Sequence, residues 1–111
     1  MEFKHRLENQ IVLIEPVGNL IGEQDGIPLI DICNEYFSKD INKFLVDMKE
    51  LRHINSSGLG VLITLLTRSR KAGGDVVLAN LPANIQNLLL ITKLNSIFKI
   101  ANSLEEGKNM F

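Results

Sequence analysis

The chain has 111 residues, 45% of them hydrophobic and 23% charged, which suits one domain spanning residues 1–111 with its own core and leaves no room for a second. Twelve basic against 13 acidic residues give a formal net charge of −1, so there is no basic footprint for nucleic acid or an anionic membrane. The single Cys33 excludes an internal disulfide, Met1–Arg6 lacks the apolar stretch of a signal peptide, and no run approaches ~18 consecutive apolar residues, so a soluble cytoplasmic protein is expected.

Phe3–Leu7 and Gln10–Val17 read as two extended segments joined by a turn at Glu8-Asn9. Ile11-Val12-Leu13-Ile14 is β-branched and almost continuously apolar, as in a strand covered on both faces. Pro16 and Gly18 are expected to end it, leaving Gly18–Gly22 as a loop. Asp25 is the expected N-cap of a first helix, with Pro28 in its first turn and an apolar stripe of Ile30, Cys33 and Phe37. Cys33 fits there as a small apolar residue. A buried strand follows at Lys43–Met48, and the charged Lys49–His53 reads as a loop.

A second helix is expected over Ser57–Lys71, because Leu59, Leu62, Ile63 and Leu66 recur at i, i+3, i+4, i+7. Arg68, Arg70 and Lys71 complement the negative end of its dipole, and Gly73-Gly74 offers a left-handed exit. Val76–Ala79 is the next strand, Pro82 opens a third helix striped by Ile85, Leu88, Leu89 and Thr92, and Ile97–Ile100 is a short last strand. Ser103, with Glu105 and Glu106 behind it, starts a final helix. The alternation after the opening hairpin predicts an α/β fold with parallel strands and helices packed on the sheet.

Between the strand at Phe44–Met48 and the second helix lies Ile54-Asn55-Ser56-Ser57-Gly58-Leu59-Gly60, with two hydroxyls and two glycines at a helix start. A serine there can cap first-turn N–H groups, which have no carbonyl partner. The same N–H groups and the positive end of the dipole would stabilise an anion, so a phosphorylated serine is chemically admissible. The plain alternative is a pair of capping serines.

No catalytic set is visible. The serines do not sit in Gly-x-Ser-x-Gly, the glycines do not form Gly-x-Gly-x-x-Gly, and there is no phosphate-binding loop with its lysine. His53 lies near Ser56 in sequence, yet a base must also reach the hydroxyl and be oriented by a third group. His5, His53 and Cys33 have no metal-ligand spacing, so neither metal nor cofactor is expected.

Asn55-Ser56-Ser57-Gly58-Leu59-Gly60-Val61-Leu62 resembles the serine motif of the STAS domain, found in bacterial anti-sigma factor antagonists and in sulfate-transporter tails. Val17-Gly18-Asn19-Leu20 resembles the family's first loop, Phe44-Leu45-Val46-Asp47 its preceding strand, and Ala79–Ile85 through Ile97–Ile100 its ending. The resemblance implies a small, mostly parallel mixed sheet with helices packed on it, and a non-enzymatic regulator. Such an antagonist binds an anti-sigma factor that is also a serine kinase. Phosphorylation blocks the binding and a serine phosphatase restores it. Carried over by position, the acceptor is Ser56, with Ser57 as neighbour and helix cap and Gly58 beside it.

The expected partner surface comprises Asn19, Leu20, Ile21 and Glu23 of the first loop, Asn55, Leu59, for which a core position is the alternative, and the exposed side of Ser57–Lys71 including Thr64. Parallel sheets gather the loops after their strands at one end, which should bring the two glycine-punctuated segments together. Two positions depart from the family pattern: Asn55 stands where Asp is usual, and Ile21 where Asp is frequent. Both remove negative charge near Ser56, although Glu23 or Asp25 could lie close. Other readings are a STAS adapter subunit in a stress-signalling or lipid-transport assembly, and a nucleotide or small-ligand sensor.

Overall fold

Asn9 and Gln10 both take positive φ, 51° and 69°, giving a two-residue hairpin turn whose twist matches that of its strands. It joins β1 (Glu2–Glu8) to β2 (Ile11–Leu20) in antiparallel register, with Glu8 opposite Ile11. The computed structural model describes all residues, 1–111. After the hairpin come α1 (Glu23–Phe37), β3 (Lys43–Asp47), β4 (Leu51–Ile54), α2 (Ser56–Lys71), β5 (Asp75–Ala79), α3 (Ala83–Ile91), a 3-10 turn at Leu94–Ser96, β6 (Lys99–Ala101) and α4 (Leu104–Lys108).

The strands lie in the order β1-β2-β3-β5-β6, with β4 paired to the far end of β2; every pairing except the hairpin is parallel. This is the single α/β domain with a mixed, mostly parallel sheet that the alternating elements imply. Residue parity along the strands divides the core in two. Val12, Ile14, Phe44, Val46, Val76 and Leu78 pack with Leu29 and Cys33 of α1, Leu62 and Leu65 of α2, and Ile85 and Leu89 of α3. Leu13, Leu45, Val77 and Ala79 face the other way, onto Leu104 of α4, Met110 and Phe111. Both faces of the central strands are buried, which is why their sequences are continuous apolar runs.

The observed elements differ from the sequence expectations at four places. First, β2 does not stop at Pro16 and Gly18 but runs to Leu20. Its parallel pairing with β3 ends at Ile14, and that with β4 begins at Gly18. Pro16 occupies the gap, on the flank where no parallel ladder needs its missing N–H. Gly18, at φ 113°, absorbs the register shift that follows.

Second, residues 49–53 are not all loop. Leu51 is buried and begins β4, whose Asn19–His53 and Leu20–Ile54 partners on β2 make it a strand despite its charged middle. Third, α1 is capped by Gly22 and not by Asp25. Asp25 lies inside the first turn and its carboxylate accepts from the Ile21 N–H at 3.2 Å. Pro28 consequently falls beyond the first turn and leaves the carbonyl of exposed Gln24 to solvent. At the other end of the chain the last strand begins later than expected, at Lys99, because the Ile97 and Phe98 N–H groups both close back onto the Leu94 carbonyl.

The exit of α2 is as the glycine pair suggests. Gly73 has φ 90°, its N–H reaches the Arg70 carbonyl, and the Gly74 N–H reaches that of Ser69. Those two bonds are the Schellman closure of a helix.

Candidate functional site

Ser56 is the first helical residue of α2 and Ser57 the second; both are exposed. The residue before them does the capping. Asn55 has extended backbone angles, φ −120° and ψ −172°, and its Oδ1 accepts from the Gly58 N–H at 3.0 Å. Ser57 is therefore not the cap, and both serine hydroxyls are spared that role. Ser56 is distinguished from Ser57 by its place in the motif, not by capping.

The other end of the Asn55 side chain reaches across the fold, where Nδ2 donates to the Ile21 carbonyl at 2.6 Å. Its backbone N–H meets the Leu20 carbonyl at 3.4 Å. Through Asn55 the loop after β2 is bound to the start of α2. Gly58 makes the approach possible, because a Cβ there would fall on the Leu20 carbonyl oxygen.

Ser56 and Ser57 open onto a groove of about 480 Å³ between α1 and α2. From α1 come Glu23, Gly26, Ile27, Ile30 and Asp31, and from α2 Gly60, Val61 and Thr64. The walls are close because Gly26 offers no side chain where α1 meets Val61. Two carboxylates and no basic side chain line the groove. Glu23 and Asp31 of α1 thus bring negative charge to the groove that Ser56 lines. Asp25 is not part of this lining, since it is committed to the Ile21 N–H.

Among the expected surface residues, Asn19, Ile21, Glu23, Asn55 and Thr64 are exposed. Leu20 and Leu59 are not: they are 1% and 4% exposed within the main core and present no contact surface. Ile27, Ile30 and Asp31 were absent from that expected set. Their signal was present in the spacing of Glu23, Ile27, Ile30 and Asp31, which at i, i+4, i+7 and i+8 share one face of α1.

The remaining reactive groups lie elsewhere. His53 is exposed on β4, and His5 pairs its Nδ1 with the Tyr36 hydroxyl at 2.8 Å. Cys33 is fully buried, which pushes its thiol up to about 12, so it stays protonated and serves as a small apolar residue. No three His, Cys, Asp or Glu side chains gather as a metal site. No helix is long and apolar enough to cross a membrane.

The sequence profile of the STAS domain matches residues 2–107. A Thermotoga neapolitana protein, assigned by inference as an anti-sigma factor antagonist, is 26% identical over 105 residues, 95% of this chain and 93% of that one. The crystal structure of a Thermotoga maritima protein with the same assignment superposes with a TM-score of 0.88 at 23% identity, covering 96% of this chain and 92% of that one. SpoIIAA, a Bacillus cell-fate determinant solved in its phosphorylated form, superposes with a TM-score of 0.74 at 16% identity, covering 99% of this chain and all of the other.

Proposed function

The chain belongs to the STAS domain family, and from that premise we propose that it is a cytoplasmic, non-catalytic anti-sigma factor antagonist switched by phosphorylation of Ser56. In this reading the unmodified protein binds an anti-sigma factor that is also a serine kinase. Phosphorylation of Ser56 ends the binding, and a serine phosphatase renews it. The observation that carries the proposal is the division of labour at the start of α2. Asn55 caps the helix, and Ser56 stands exposed beside it at the mouth of a groove. Free first-turn N–H groups and the helix dipole favour a phosphate there, while a change of about −1.5 to −2 in charge alters whatever surface packs over it. Anti-sigma factor antagonist assignments of relatives along almost the whole chain support the same reading.

The test is incubation of the purified protein with ATP and the anti-sigma kinase of its own genome, followed by phosphopeptide mapping. Label on Ser56 is expected, and label on Ser57 alone would reject the assignment. Calorimetric titration then compares Ser56→Ala with Ser56→Asp. Both should remain folded, since the site is exposed and an acid there suits the dipole by about 0.3–1 kcal/mol. Ser56→Ala should bind the kinase and Ser56→Asp should bind more weakly, because an unpaired carboxylate within an interface costs several kcal/mol. Equal affinities would reject the switch and leave the family assignment untouched.

A further inference from the structure

The groove beside Ser56 has a chemistry of its own, set mostly by α1 residues that lie outside the serine motif. Its α1 wall carries Ile27, 55% exposed, next to Ile30, with Glu23 one turn before and Asp31 one turn after. Val61 closes the α2 side. Ile21 is 51% exposed, and its carbonyl is held by Asn55. Neither Glu23 nor Asp31 takes part in an ion pair, whereas Asp47, Asp75, Glu8 and Glu15 all do. Large aliphatic side chains left half in water beside two unpaired carboxylates form a surface that lacks its complement.

We propose that this groove docks an amphipathic segment of the partner protein whose aliphatic side chain fills the space over Ile27, Ile30 and Val61 and whose arginine or lysine residues meet Glu23 and Asp31. The identity of that partner as an anti-sigma factor rests on the proposed function; the chemistry of the segment does not. A second copy of this chain is a poor occupant, since two such grooves would face carboxylate to carboxylate. A free anionic ligand, unlike a phosphate held covalently at the start of α2, would have to enter past both carboxylates with no basic side chain to meet it.

The experiment uses the full chain, labelled with nitrogen-15, and two small probes of opposite charge, n-hexylguanidinium and hexanoate. Amide shifts are followed by NMR as each is added. Hexylguanidinium should shift Gly26, Ile27, Ser57, Gly60 and Val61 and should bind in preference to hexanoate. The double variant Glu23→Gln, Asp31→Asn changes only exposed side chains and should weaken hexylguanidinium about fivefold, as expected for exposed charge pairs. Ile27→Ser should weaken it as well. Equal responses to the two probes, shifts centred elsewhere, or an undiminished affinity in the double variant would each overturn the proposal. Because no kinase is present, a negative result here is distinct from a failure of the Ser56 switch.

Discussion

Asn55 both donates and accepts, and the two bonds respond differently to substitution. Asn55→Ala removes the cap to Gly58, worth about 0.5–2 kcal/mol, and the bond to the Ile21 carbonyl, worth about 0.5–1.5 kcal/mol. Its urea midpoint should fall accordingly, by about 1–3 kcal/mol in stability. Asn55→Asp retains an acceptor for Gly58 and loses only the donor to Ile21, so it should stay within about 1 kcal/mol of the parent. If the two variants lose equally, the cap contributes nothing and the loop bond dominates. Gly58→Ala should be worse tolerated than an alanine in an open helix, since its Cβ collides with backbone at Leu20 and with the Ile54 side chain. A cost of about 1–3 kcal/mol is expected from such overpacking. Cys33 makes a kinetic prediction at the same scale. A fully buried thiol with its ionisation pushed up to about 12 should be inert to a thiol reagent at neutral pH until the chain unfolds. Labelling at a measurable rate in the native state would show that α1 opens locally.

The two helices that form the groove approach closely because one side chain is missing between them. At Gly26 an added Cβ would meet both methyls of Val61, so Gly26→Ala should push α1 away from α2 and cost about 1–3 kcal/mol. The clash is with a side chain, which makes it reversible in a double-mutant cycle. Val61→Ala should recover part of the loss, and the two changes should couple by more than about 0.5 kcal/mol. Strict additivity would mean that the helices do not touch there. β4 is an element of a different kind. It is four residues long, its middle is charged, and it exists because the far half of β2 has a free flank to pair with. Leu51→Ala, which empties a buried position at its start, should cost about 2–5 kcal/mol in urea unfolding.

Across the whole molecule, charged contacts tie late elements to early ones. Lys108 of α4 meets Glu8 of β1 at 2.9 Å, and Asp75 at the start of β5 meets Arg70 of α2 at 3.2 Å and Lys99 of β6 at 3.0 Å. Burial opposes the Asp75 charge, but the Val76 N–H, Lys99 and Arg70 together outweigh it and hold the carboxyl below its ordinary value. A carboxyl lowered in the folded state contributes stability that is present above its unfolded pKa, about 4, and is lost as pH falls through the folded value. Stability measured by urea should therefore be level through neutral pH and decline below about pH 4. Asp75→Asn should lower the neutral plateau and flatten the decline. An unchanged acid limb in that variant would assign it to other carboxyls, Glu8 among them, which Lys108 also holds low.

The sequence by itself determined the elements whose signals lie within one stretch of chain. The period of Leu59, Leu62 and Leu66, the Gly73-Gly74 exit, the apolar runs of the central strands and the Ser103 cap all act over a few residues, and the family motif is equally local. Only tertiary structure decided the rest. β4 is a strand because a vacant flank of β2 accepts it, and Pro16 remains within β2 because the flank beside it is vacant. Leu20 lies in a stretch that reads as an exposed loop, yet it ends β2 and is buried in the main core. The cap passed from Ser57 to Asn55 once the start of α2 was fixed against the loop after β2. The acidic groove depends on Glu23 and Asp31 meeting Ser56 across about 25–33 residues of chain, a contact set by the crossing of two helices. Periodicity shows which face of a helix is buried, but not which other helix it will face.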